Sequence, residues 1–418
     1  MSLRRVALPM ALLLLLPLTF SSARAQESRA GAPEWGLDLT VRGTGLAIGH
    51  VPRVNGIRIN FRDHYLEEVN GLNLTLWAPA RDWQGTGTVR GMALGLAAPT
   101  AARLHGISLG GVAVVANQEL SGLSAGGVAV VSEGDLRGIA LGGIAVVSQG
   151  SASGIRLGGL ATVSQGSASG ISVGGLANVT QGSSRGINLG GLANVTEGSS
   201  RGINLGGLAA VSQGSAAGVN LGGLATVSGG GTLSGLSLGG LAVVAADDIN
   251  GISLGGLATV TGQGSIRGIQ AGGLALVAGD GSLTGINVGG LAVVAGLGVA
   301  RGVNLASLAV VGQEGVEGLS LAGLAVVSRE HVRGVSLAGY KVEAPDARWV
   351  TGAAWKVEVD EARGLSVAAW NEHAATSRGL SIGLLNRAEE LQGVQVGLLN
   401  YAGNNARFPW LPLVNAHF

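Results

Sequence analysis

The fold the sequence predicts is all-β, a parallel β-solenoid with about 16 residues per coil, and three observations predict it. A unit of 16 or 17 residues returns fourteen times between Gly106 and Arg333, as in GINLGGLANVTEGSSR from Gly186 and GINLGGLAAVSQGSAA from Gly202. A fixed period of that length marks a stack of like units. A glycine doublet sits in the middle of nearly every copy, and glycine is the residue of tight bends and close backbone approach. The residues flanking the doublet alternate with the period of a strand, whereas no window free of glycine carries an apolar stripe at helical spacing. Helices should therefore be nearly absent.

Each copy is numbered here from its opening glycine. Positions 2 and 4 are aliphatic (Ile187, Leu189), 5 and 6 are the doublet, 7 is leucine, 10 is valine (Val195), and 12 to 16 are rich in glycine and serine. If the doublet is a corner, each copy is one coil and identical residues stack in ladders. Positions 2, 4, 7 and 10 then point inward, and positions 9 and 11 outward. If positions 1 to 11 are instead one straight strand, positions 2, 4, 6, 8 and 10 form one face. The chain would then be an antiparallel outer-membrane β-barrel, whose strands run ~9–11 residues.

Three points favour the solenoid. Two glycines in mid-strand weaken it by roughly 0.5–1 kcal/mol each relative to alanine. Aromatic residues make up only 3% of the chain, too few for the girdles of a membrane barrel. The copies opening at Gly379 and Gly393 lose one residue at the doublet, which is cheap at a corner but reverses every later side chain in a strand.

Taken in order, residues 1–25 read as a signal peptide. Arg4 and Arg5 precede an apolar run from Val6 to Phe20, and Ala23-Arg24-Ala25 gives a small-x-small cleavage site before Gln26. Residues 26–105 form an N-terminal cap with degenerate copies at Gly56, Gly71 and Gly91, since a terminal repeat lacks a neighbour on one side. Residues 106–333 are the fourteen regular copies. Residues 334–418 are degenerate copies and a C-terminal cap, closed by an aromatic plug over the last coil. The alternating tail that ends at Phe418 has the character of a barrel's last strand, but Pro412 cannot donate to a ladder.

GINLGGLANV, together with GVQVGLLNYAGNN and LPLVNAHF near the end, resembles bacterial exported surface-repeat proteins built from G-(I/L/V)-x-(I/L)-G-(G)-L-x-N units. The likeness covers roughly Gly56 to Phe418 and implies export and repeat architecture rather than an activity. More distantly, GIALGGIAVVSQGSAS from Gly138 resembles the β-roll head repeats of trimeric autotransporter adhesins. Those repeats are shorter, and no coiled-coil stalk is present here, so only a coil architecture is implied.

Composition narrows the function. A hydrophobic fraction of 46% with 12% charge excludes a disordered linker. A formal charge of +1 offers no field for nucleic acid, and with no cysteine there is neither a disulfide framework nor a lipidated cysteine. The six histidines (His50, His64, His105, His331, His373, His417) show no metal-ligand spacing. Asp63, His64, Glu67 and Glu68 are the densest ionisable cluster, and read as a solvated cap loop. Glu358, Asp360 and Glu361 beside Trp355 read the same way, and Asp247-Asp248 as turn filler. The single Gly279-Asp280-Gly281 does not recur as a calcium repeat would. No catalytic, cofactor-binding or metal residue is assigned.

Hydroxyl and amide pairs at positions 9 and 11 (Thr162/Ser164, Asn178/Thr180, Asn194/Thr196, Thr226/Ser228, Thr259/Thr261) would line an outer face. There they could bind ice or a polysaccharide, though Val130, Val146, Val243 and Leu276 interrupt the row; the simpler reading is that they satisfy one another along the stack. Asn178 and Asn194 also match the glycosylation sequon by accident of the repeat. Stretches such as Leu241-Ala242-Val243-Val244-Ala245 are apolar on both faces, so an apolar outer surface suited to self-association or membrane contact is expected. The expected function is that of an exported, non-enzymatic structural or interaction module in the periplasm, the outer membrane or at the cell surface. A polysaccharide-active β-helix enzyme is a distant alternative.

Overall fold

Each copy pairs in parallel with the next at the same position. Gly186 lies beside Gly202, Ile187 beside Ile203, Asn188 beside Asn204 and Leu189 beside Leu205; past the doublet, Asn178 lies beside Asn194. The computed structural model describes residues 35–63, 66–79 and 85–418, and Gly36–Phe418 form one unit. Its strands make one 38-stranded sheet, with no helix among the described residues. About 21 turns of roughly 16 residues stack into a parallel β-solenoid, and the barrel is not formed. At ~4.8 Å per turn the stack is roughly 100 Å long. The expected leader lies outside the described residues.

The glycines that open the copies, not the doublets, hold the left-handed backbone: φ is 114° at Gly186 and 113° at Gly202. The doublet is required for a different reason. A Cβ on Gly190 would stand 1.8 Å from the carbonyl oxygen of Ala193, and one on Gly191 1.8 Å from that of Gly175. The corner is thus closed too tightly, within the coil and between coils, to admit a side chain. The corner loses one residue in the copy from Gly379, as the sequence predicts, and already in the copy from Gly364, where no loss was expected. Three residues separate Leu189 from Ala193, but only Ala368-Ala369 and Gly383-Leu384 separate the paired positions Val367/Ile382 and Trp370/Leu385.

The direction of the side chains is the reverse of the one expected. Positions 3, 5, 9, 11 and 15 are buried (Asn188, Gly190, Asn194, Thr196 and Ser200 in the copy from Gly186), whereas the aliphatics at 2, 4, 7 and 10 face out. The residue two before each opening glycine also faces in, and there aliphatics are buried in successive coils, as at Leu233, Ile249, Ile266 and Leu283. Buried apolar residues still gather in two clusters, Ala47 to Ala152 and Ala216 to Ala368. Between them the interior is largely polar.

That polar waist is held by ladders. Asn178 Nδ2 donates to Asn194 Oδ1 at 2.9 Å, and Thr162 donates to Asn178. At position 3, Asn188 donates to Asn204 at 3.0 Å and Asn204 to Asn220 at 2.9 Å. Ser184 and Thr196 hydroxyls meet across the interior at 3.0 Å. A head-to-tail amide ladder leaves an acceptor at one end and a donor at the other, and Asn188 Oδ1 and Asn220 Nδ2 are those unpaired ends. Arg156, 1% exposed, lies two coils beyond the acceptor end with Ser172 between, where the aligned amide dipoles favour a cation. Burial pushes its guanidinium down to about 10.

Both ends of the stack are antiparallel. Gly36–Val41 pairs with Thr44–Gly49 at the start. At the other end Trp410–His417 pairs with Leu385–Ala402, and Pro412 falls in the register irregularity between Leu411 and Leu413. The expected aromatic plug is not formed. Phe408, Trp410 and Phe418 remain exposed, and the added strand's backbone covers the last coil.

Candidate interaction surface

The outer wall has two distinct edges. Around the doublet, position 4, the second glycine and position 7 present aliphatic side chains and bare backbone. Position 7 is an unbroken row from Val112 through Val128, Ile144 and Leu160 to Leu324, each residue 41–51% exposed. Beside that ridge runs a shallow open groove, of about 1070 Å³ in its N-terminal part, lined by Leu109, Leu141, Leu157 and the doublets of successive coils. It reappears toward the C-terminus along Val288, Leu305, Leu321 and Leu337. Positions 8 and 10, such as Ala193 and Val195, continue the apolar wall half-buried.

In the regular copies surface charge is confined to the opposite edge, from position 12 to the end of the copy. Arg137 there pairs with Glu119 and Asp135, each at 3.0 Å, and Arg301 with Glu317 at 2.6 Å. Arg301 and His331 hold the Glu317 carboxyl below the usual range despite its partial burial. Past Leu324 the ridge continues as Tyr340 and Trp355, but its flank changes. At positions 8 and 10 the next coils carry Lys341 and Glu343, then Lys356 and Glu358. Glu358 accepts from Lys341 at 2.7 Å and from Lys356 at 3.0 Å, and Lys356 also reaches Glu372 at 2.7 Å. Those two lysines hold Glu358 below the usual carboxylate range. Partial burial opposes the charge on Lys341, but hydrogen bonds to Glu343 and Glu358 outweigh it and raise its pKa. Lys356 also stands 4.4 Å over the Trp370 ring.

Comparison of the chain with protein-family models, with curated proteins and with solved structures finds no match.

The ionisable residues singled out from the sequence are dispersed by the fold. Asp63 does not lie in a solvated loop. It is fully buried, accepting from Arg58 at 2.9 Å, Asn60 and Asn73 at 3.0 Å and Thr75 at 2.8 Å, so it fills the interior of the first coils. Burial pushes the Arg58 guanidinium down, and the Asp63 charge opposes this. His64 lies outside the described residues. Glu67 and Glu68 pair on the surface with Arg53 and Arg90. Glu361 pairs with Arg363, and Asp360 is exposed. Asp248 caps a turn by accepting from the Ser265 amide at 2.7 Å. His105, His331 and His417 bond to Ser121, Glu317 and Asn404 on separate coils, and His373 is buried in the C-terminal interior.

The hydroxyl and amide row expected to line an outer face is inside. Thr162, Asn178, Asn194, Thr226 and Thr259 are each at most 2% exposed, so they offer nothing to ice or polysaccharide. The sequons at Asn178 and Asn194 are inaccessible for the same reason. Sequence reasoning missed the ridge of position 7 because it placed leucine inside. The signal was available: position 7 is aliphatic in every regular copy, while the true interior position 9 changes freely between valine, threonine and asparagine.

Proposed function

We propose that the chain is an exported, non-enzymatic structural or interaction module of the bacterial cell envelope or surface, working through its side wall. One observation carries this reading: fourteen successive coils keep leucine, isoleucine or valine 41–51% exposed at position 7. Covering apolar surface is worth roughly 25 cal/mol per Å². A wall this long left in water favours association with whatever can cover it. The leader read at residues 1–25 supplies the route to the envelope, and the repeat resemblance agrees with it. The carboxylates near Trp355 fit a structural role, since Glu358 is shared by two lysines and held ionised.

The test is fractionation of a bacterium with an outer membrane that expresses the tagged full chain. The chain is expected in the envelope or at the cell surface with an N-terminus at Gln26. Retention in the cytosol with Met1 in place would overturn the proposal.

A further inference from the structure

We infer that the doublet edge is the contact surface of a side-by-side pair of copies of this chain, each seating its position 7 ridge in the glycine-floored groove of the other. The inference rests on reading the chain as an interaction module and names the partner. The first argument is area. Fourteen coils at ~4.8 Å and four residues at ~3.3 Å give a strip of roughly 65 by 13 Å, on the order of 800 Å². That exceeds the roughly 300–600 Å² patch of an ordinary monomer and equals the ~800 Å² one partner gives to a stable interface.

The second argument is relief. Ridge and groove lie side by side on the same strip: Leu160 at position 7 is 47% exposed, next to a groove lined by Leu157 and Gly159. A two-fold axis places each ridge in the other copy's groove, and the side-chain spacing matches at every coil because both partners have the same repeat. The third argument weighs against a lipid surface. Membrane-seeking edges carry tryptophan, tyrosine and flanking lysine or arginine. Val112 to Leu324 at position 7 contains no aromatic residue, and the chain's formal charge is only +1. Past Leu324 positions 8 and 10 beside the strip change to the Lys341–Glu358 ion pair, while Tyr340 and Trp355 continue the exposed row.

The test is sedimentation of the purified full chain beside Leu176→Glu/Leu192→Glu/Leu208→Glu, with Arg201→Glu at the charged edge as control. Neutral phosphatidylcholine vesicles are added in a separate flotation arm. The wild type and the control are expected at twice the mass of a single chain. The triple variant is expected as single chains with its circular dichroism and melting unchanged, its dissociation constant raised at least about 100-fold. A wild type that sediments as a single chain, or a triple variant that still pairs, overturns the inference. So does a wild type that floats with vesicles instead of pairing, which would assign the edge to lipid. None of these outcomes touches export, which fractionation and the N-terminus read separately.

Discussion

A methyl group on Gly191 would stand 1.8 Å from the carbonyl oxygen of Gly175, in the backbone of the preceding coil, which cannot turn away. Gly229, in a turn two coils on, has its nearest atom at 3.8 Å. Gly191→Ala should therefore lose about 2–3 kcal/mol by overpacking. Gly229→Ala should be neutral or gain about 0.4–1 kcal/mol from a stiffer unfolded chain. Thermal melts of the two variants check the contrast, and equal shifts would refute it. His373 makes a second prediction. It is 1% exposed beside Val359 and Ala388, and burial lowers its pKa from 6.5 to about 4. The unfolded chain takes up the proton first, so this contribution is whole above pH 6.5 and is lost as pH falls toward 4, about 3 kcal/mol in all. His373→Ala should remove that part of the acid sensitivity in a pH series of melts. Of these residue-level facts, the sequence showed that the doublet matters but not why, because the clash comes from a neighbouring coil rather than from a local backbone angle.

Within a coil, topology and parity were separable questions, and the sequence resolved only the first. The doublet as a corner, the shortened corner of the copy from Gly379 and the period-2 strands were all readable from glycine placement and copy length. Parity was misread because aliphatic residues were assigned to the interior, as in most water-soluble proteins. The parity found belongs to the barrel alternative, with positions 2, 4, 8 and 10 on one side, although the topology is the solenoid's. The inward positions hold Asn194, Thr196 and Ser200 in the waist and Leu233, Ile249 and Ile266 further along, all at most 2% exposed, so residue type alone did not mark the inward parity. The ladder inside can be tested as a unit. Asn194→Val strands the buried amide of Asn178 and should cost about 1–3 kcal/mol. Replacing Thr162, Asn178 and Asn194 together by valine, the residue at the same buried position in Val114, Val130 and Val146, should recover most of that loss. Additive losses across the series would show that the ladder does not act as one network.

Across the whole stack, the interior changes character along the axis. Two apolar clusters flank a waist where Thr162, Asn178 and Asn194 stand in place of valine, and Ser184 and Ser200 in place of leucine or isoleucine. A stack held by nearest-neighbour contacts opens where those contacts are weakest. Among the inner coils, backbone amides between Gly154 and Gly206 should therefore exchange fastest with solvent, and uniform protection along the stack would argue against a weak waist. The long view also explains what a one-chain reading could and could not supply. The repeat specified the stack, but the partner of an aliphatic outer edge is not encoded in any single copy.

The solenoid carries the aliphatic residues of positions 2, 4, 7 and 10 outside and its amide and hydroxyl ladders inside. Ile203 and Asn204 are adjacent, on opposite sides of the wall, at 39% and 2% exposure. The chain contains no cysteine, so Ile203→Cys and Asn204→Cys can each be titrated with a maleimide on the folded protein. The account predicts that the thiol at 203 reacts at once, and the thiol at 204 only after unfolding. Fast labelling at 204 with protection at 203 would contradict it.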